Sequence, residues 1–263
     1  MGTLCNARQQ RPREFAGVTL FTVIHEDTEL LVLHKPAGLV CHPTKGDEYS
    51  SLISRVRLYL GGAEEPQMVH RLDRETSGVM LFGKTREAAQ ELRRLWELGF
   101  VSKRYQAVVH GRVATTADRI DLPLGRDELS RVAIKDRVRP DGAVARTRYR
   151  VERVFERPEG VFTLLWVWLD TGRKHQIRIH LAAVGHPIVG DKIYGGDEER
   201  YLAFVEGRLL PEHRQALLTP NQALHAGSVW LPWKGEERLF ETPAEPWFLD
   251  FLTGRSVDWP EKT

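Results

Sequence analysis

Apolar residues in this chain come in short runs, and the pattern of those runs limits the fold. The longest, Val161 to Leu169, is about half of the roughly 20 residues that a bilayer span requires. No transmembrane helix is expected from it. Several runs read as strands. Val18 to Val23 and Glu29 to His34 flank the turn-like Glu26-Asp27, and Lys35-Pro36-Ala37-Gly38 ends the second. Val79 to Phe82, entered through Thr76-Ser77-Gly78, reads as a buried strand. Lys103 to Val109 alternates, with Lys103, Tyr105, Ala107 and Val109 sharing one face at period two. Thr147 to Phe155 and Val161 to Leu169 form a pair joined at Pro158-Glu159-Gly160, and Leu224 to Leu231 is a late strand.

Helical spacing is rarer. Ser51 to Leu60 places Leu52, Ile53, Val56 and Leu60 on one face, closed by Gly61-Gly62. Thr85 caps a helix over Arg86 to Leu98, with Ala88, Leu92, Leu95 and Trp96 in its stripe and Gly99 past its end. Thr171 opens a third helix, roughly Arg173 to Val184, stopped by Gly185-His186-Pro187. Strands outnumber helices, and hairpin neighbours replace strict strand-helix-strand alternation. The expected fold is α+β, a mixed and largely antiparallel central sheet flanked by helices. Residues 1–17 read as a polar tail and 18–263 as a single domain, with no repeat or low-complexity linker between them.

Charge and cysteine content remove several functions. Lysine and arginine total 38 against 36 acidic residues, so no global basic signal marks a nucleic-acid binder. Locally, Arg126 to Arg150 holds eight basic residues and four acidic ones, either a solvated hairpin or a phosphate-contacting surface. Cys5 and Cys41 are the two cysteines, which excludes a disulfide scaffold and a cysteine-built zinc site; both read as incidental. His175 and His180 are five apart, about 140° around a helix, so they do not share a face. With no His-Glu-x-x-His pattern, no metal is expected. No phosphate-binding glycine loop is present either, and no cofactor is expected. The polar N-terminus carries no apolar signal core, which points to the cytoplasm. Trp230, Trp233 and Trp247 either cover a core edge or stack on a ligand; the core is the expectation.

The segment His70-Arg71-Leu72-Asp73-Arg74-Glu75-Thr76-Ser77-Gly78 sets a carboxylate among guanidinium groups in a polar loop before a buried strand. Loops held by rigid sheets are where reactive groups tend to sit. By composition alone this would be a surface ion pair. The segment, however, closely resembles the signature of the RluA family of RNA pseudouridine synthases, His-Arg-Leu-Asp-x-x-Thr-Ser-Gly, at every fixed position. Other segments resemble the family's motifs in the same order: Lys35-Pro36-Ala37-Gly38-Leu39, Lys103-Arg104-Tyr105-Gln106-Ala107, Thr171-Gly172-Arg173-Lys174-His175-Gln176-Ile177-Arg178-Ile179-His180, Gly190-Asp191 with Tyr194-Gly195, and Leu224-His225-Ala226. Together they cover about residue 18 to residue 232.

The resemblance implies isomerisation of uridine in RNA. The N1–C1′ bond breaks, the uracil turns, and a C5–C1′ bond forms. It assigns the essential aspartate to Asp73. An anion suits a step that builds positive charge at C1′. Covalent addition and removal of a sugar proton both remain open routes for it. Tyr105 matches the active-site tyrosine, able to stack on uracil and assist proton removal from C5. Arg178 matches the arginine that pairs with the aspartate, keeping it ionised. Arg71 matches a residue that enters the RNA stack in place of the flipped nucleotide. His70, Arg74, Lys103, Arg173 and His175 complete the expected RNA contacts. The implied partner is a ribosomal or transfer RNA stem-loop. No membrane and no obligate protein partner are expected, and the chain reads as a monomer. With about 17 residues before the first strand, an N-terminal RNA-binding domain of the S4 type is not expected. The rival readings are a catalytically silent RNA-binding protein of the same fold and a glycosidase that releases the base.

Overall fold

The computed structural model describes residues 3–4, 11–15, 18–43, 50–62 and 65–260. In chain order the elements are β1 (Thr3–Leu4), β2 (Arg11–Phe15), β3 (Val18–Glu26), β4 (Leu30–Lys35), α1 (Leu52–Tyr59), β5 (Gln67–Met68), β6 (Ser77–Gly83), α2 (Arg86–Glu97) and β7 (Ser102–His110). There follow β8 (Ala117–Asp121), β9 (Leu124–Arg126), β10 (Asp136–Val138), β11 (Arg146–Arg157), β12 (Gly160–Leu169), α3 (Gln176–Ala183), α4 (Glu199–Val205), α5 (Pro211–Leu217), β13 (Leu224–Trp233), β14 (Glu236–Glu241) and α6 (Pro246–Leu252). They form two compact units, one of Met1–Lys103 with His225–Glu245 and one of Arg104–Leu224 with Pro246–Thr263. A single domain was expected. Each unit takes segments from both halves of the chain, so no linker composition marks the division in sequence.

In the first unit β2, β3, β4 and β6 pair antiparallel in that order. β13 joins β6 in parallel through His225 opposite Ser77 and Ala226 opposite Gly78, and carries β14 antiparallel. Parallel pairing between strands so distant in sequence is what makes the sheet mixed. β6 is buried along its whole length, which is why it reads as a continuous apolar run and not as alternation. Thr85 Oγ1 accepts the Ala88 N–H and starts α2, whose Ala88, Leu92 and Leu95 pack on Val79, Leu81, Val229 and Leu231. Gly99, at φ 75°, ends that helix in the left-handed region that favours glycine.

Residues 1–17, read as a tail, contain two strands: β1 pairs in parallel with β14, and β2 pairs with β3. Backbone hydrogen bonds hold such strands without an apolar face, and Pro12 suits an edge position. Cys5 lies outside the described residues.

The second unit is built on β7 from Arg104 onward, then β12, β11 and β8, all antiparallel. β9 and β10 form a separate hairpin. The β11–β12 pairing matches the expected one, with its turn at Pro158-Glu159. Three short helices, α4, α5 and α6, have seven residues each, too few for a helical period to show in the sequence. Among the described residues no helix is long and apolar enough to cross a membrane.

Candidate active site

The loop carrying Asp73 is pinned from below by a buried lysine. Lys35 closes β4 and is fully inaccessible. Its Nζ donates to the carbonyls of Pro36 (2.9 Å), Leu39 (2.8 Å) and Arg74 (2.9 Å), which uses all three of its donors. The Gly38 N–H also donates to the Arg74 carbonyl at 2.9 Å, and Arg74 Nε returns a bond to the Gly38 carbonyl at 3.1 Å. The Lys-Pro-x-Gly segment and the aspartate loop are therefore stitched together at the residue after Asp73. Burial pulls the Lys35 pKa down to about 8, although Cys41, Glu245, Asp73 and Glu75 all favour its charge. Asp73 itself is half-buried, and its carbonyl accepts the Thr76 N–H at 3.2 Å, forming a tight turn. Gly78, where the loop enters β6, has φ +127°, and a Cβ there would lie 2.2 Å from the Ala226 carbonyl oxygen. Only glycine permits that approach.

Two further contacts brace the loop. His70 Nε2 accepts the Leu81 N–H at 3.1 Å, and its ring stacks on Trp96 at 4.7 Å. Desolvation, with Lys103 close by, lowers the His70 pKa to about 3, so the ring stays neutral. Lys103 Nζ lies 6.0 Å from the same Trp96 ring. Expected at the RNA, His70 is thus engaged as an anchor between the loop and β6. On the other flank, His225 Nε2 donates to the Thr242 carbonyl (3.0 Å), which leaves Nδ1 to accept the Ser77 hydroxyl (2.8 Å). Burial lowers the His225 pKa to about 4.

In the second unit, Tyr105 is buried on β7 opposite Val167 of β12. Arg178, on α3, is also buried. Its Nε and Nη2 fork onto Asp191 Oδ2 and Oδ1 at 2.7 and 2.9 Å. Burial alone would raise the Asp191 pKa. The Arg178 charge and hydrogen bonds, with the N–H groups of Tyr194 and Ile193, outweigh it and hold the carboxyl below its ordinary value. Asp191 is thus a carboxylate partner of Arg178 within the second unit, and the fork uses two of the five N–H donors of a guanidinium. The Tyr194 ring lies 5.1 Å from the guanidinium carbon. The Tyr194 hydroxyl accepts the Asp136 N–H and sits 3.0 Å from His175 Nδ1.

The turn into α3 differs from expectation. The helix begins at Gln176, and Thr171 is not its cap. Instead Thr171 and the Arg173 N–H both donate to Gln176 Oε1, while Gln176 Nε2 donates to the Arg146 carbonyl and Thr147 Oγ1. This glutamine ties the Thr171–Arg173 turn to the start of β11. His175 precedes the helix at φ 55°, a strained position for a non-glycine residue. His180 is committed to Thr147 and the Leu122 carbonyl.

Of the expected residues, His70, Arg71, Asp73, Arg74 and Lys103 belong to the first unit, and Tyr105, Arg173, His175 and Arg178 to the second. Arg71, Arg74 and Arg173 are exposed. Lys35, Gln176, Asp191 and Tyr194 position the loops without being expected to: all four lie within the motifs, but nothing in their spacing points to their partners. The basic stretch is largely neutralised. Arg131, Lys135, Arg137, Arg139, Arg146, Arg148 and Arg150 each have a carboxylate within 4.0 Å.

These motif-bearing segments fall within a match to the family model described as RNA pseudouridylate synthase, over residues 29–183. The chain belongs to this family. An uncharacterized RNA pseudouridine synthase of Aquifex aeolicus is 39% identical over 83% of this chain and 68% of its own length. Ribosomal large subunit pseudouridine synthase D of Pseudomonas aeruginosa is 36% identical over 88% of this chain and 70% of its own. Among solved structures, human RNA pseudouridylate synthase domain containing 4 superposes with a TM-score of 0.68 at 26% identity, covering 91% of this chain and 94% of that one. The family is one of isomerases that act on RNA, and the α+β fold is the family's.

Proposed function

We propose that the chain converts uridine to pseudouridine in structured ribosomal or transfer RNA, with Asp73, Tyr105 and Arg178 as its catalytic residues. The observation that carries this is the residue-for-residue match of the Asp73 signature inside the family-matched span. The names of relatives favour ribosomal RNA as the substrate. A cytoplasmic monomer without a cofactor or an obligate protein partner is the form proposed.

Asp73 supplies the anion. As N1–C1′ cleaves, positive charge grows at C1′, and the carboxylate stabilises or traps it. The uracil turns in place, C5 bonds to C1′, the C5 proton leaves with help from the Tyr105 hydroxyl, and N1 regains a proton. No water enters, so the base is never lost. Arg178 favours the ionised aspartate. Arg71 fills the gap left by the flipped nucleotide. His70, Arg74, Lys103, Arg173 and His175 serve the surrounding RNA, His70 through the loop it anchors.

Asp73→Asn should lower pseudouridine formation on total RNA from a deletion strain by at least about 1,000-fold, with an unchanged melting curve. Equal product from wild type and variant would remove Asp73 from the mechanism. Release of free uracil would make the protein a glycosidase. A wild-type protein that binds RNA without forming product would be a silent binder.

A further inference from the structure

One face of the second unit's sheet carries an arrangement that the catalytic reading does not use. Residues directly opposite each other in antiparallel strands point to the same side. Arg104 of β7, Trp168 of β12, Arg148 of β11 and Arg119 of β8 therefore form one row across the sheet. The next row is Gln106, Trp166, Arg150 and Ala117. The two indoles are two residues apart on one strand, about 7 Å. The Arg104 guanidinium carbon lies 4.5 Å from the Trp166 ring. Tyr105, one residue along β7, projects to the opposite face.

Farther along the same face, α6 covers the sheet. Phe251 packs on Phe155 and Phe162, and Arg153 Nη2 donates to the Leu252 carbonyl. At the arginine–tryptophan rows both indoles are half-buried, neither fully covered. The Arg148 and Arg150 side chains are 55% and 59% exposed. Arg146 adds a fifth guanidinium, against carboxylates of Asp121, Asp170 and Glu152, the last accepting the Trp166 Nε1–H.

We propose that this face is a second RNA surface, binding an unpaired strand whose bases stack on Trp166 and Trp168 while Arg148, Arg150 and Arg119 take its phosphates. It rests on the reading that the substrate is RNA. Unpaired RNA fits best among polyanions. Sheet-borne aromatic rings flanked by arginines are a stacking platform, and they read bases only where those bases are free of a duplex. Arginine, planar and able to fork onto phosphate, is the appropriate cation, and the face carries no lysine in either row.

The test uses the full chain and a short labelled oligouridine strand, with an RNA duplex of equal length for comparison. Arg148→Glu with Arg150→Glu should weaken oligouridine binding about ten-fold and flatten its salt dependence by about 1.4 log units per log unit of salt. Trp166→Ala with Trp168→Ala should weaken it by a similar factor, and the Phe pair should restore most of it. Duplex binding should change less in the tryptophan variants. Circular dichroism melting separates misfolding from lost contact, and the exposed arginines keep the test valid if the tryptophan variant unfolds. Unchanged oligouridine affinity in the arginine variant, or no wild-type binding at all, overturns the proposal and leaves the face to a protein partner. Pseudouridine formation is scored separately on total RNA. A protein that binds oligouridine through this face but makes no product overturns the catalytic reading alone.

Discussion

Lys35 in the first unit and Arg178 in the second are both buried cations, yet the chain satisfies them in opposite ways. Lys35 faces three neutral carbonyls, and carboxylates act on it only at longer range. Arg178 faces a carboxylate directly, in a two-bond fork. The lysine is a stitch. It ties a turn to a loop, and its charge is costly enough there that its pKa falls to about 8. The arginine is a fixed charge, held in place by a partner whose own charge is secured by further hydrogen bonds. A flexible ammonium can spread its donors over three carbonyls, whereas a planar guanidinium matches one carboxylate. The first arrangement positions backbone; the second positions charge.

Removing the arginine's partner should have the largest effect on stability. Asp191→Ala strands a buried guanidinium and should cost about 3–5 kcal/mol in denaturant unfolding, with pseudouridine formation lost at the same time. A loss below about 1 kcal/mol would mean that the fork is not the main support of Arg178. Lys35→Met leaves carbonyls unsatisfied while removing the cost of a buried charge. The net loss should be smaller, about 1–3 kcal/mol, and activity should fall because the Asp73 turn loosens.

The pH dependence sharpens the contrast. The Lys35 pKa is about 8 when folded against 10.5 unperturbed. Between those values the unfolded chain binds more protons, so this lysine's contribution to stability rises with pH across that window. Subtracting the Lys35→Met curve from that of wild type should show the rise; a flat difference would mean that the ammonium is not desolvated. The Arg178–Asp191 pair should show no such change there, since the Asp191 carboxyl is held below its ordinary value and is ionised throughout. The smallest effect is expected for Ser77→Ala, which removes one bond to a neutral histidine and should cost about 1 kcal/mol by thermal or denaturant melting.

The strand and helix pattern was legible because it depends on local periodicity. The α2 cap at Thr85, the buried β6 and the β11–β12 hairpin all follow from neighbours within a few residues. The edge strands β1 and β2 were not legible, because their support is backbone bonding to distant strands and their sequence is polar. His70 shows the same limit at the site: its motif suggests an RNA contact, while the fold engages the ring with Trp96 and Leu81.

The motifs were enough to place the chain in its family, and the proposal of Asp73, Tyr105 and Arg178 as catalytic residues rests on the same motif match, which survives any arrangement of the chain. The α+β class is legible too, from alternating or buried apolar runs of strand length set among few helical patterns. Tertiary structure alone decided which carboxylate holds Arg178, which carbonyls receive Lys35, and that arginines and tryptophans from four strands line up on one face. Those partners lie 13 residues apart for Arg178 and Asp191 and 39 for Lys35 and Arg74. Pairing over such distances is chosen by packing and strand register, which no local spacing encodes.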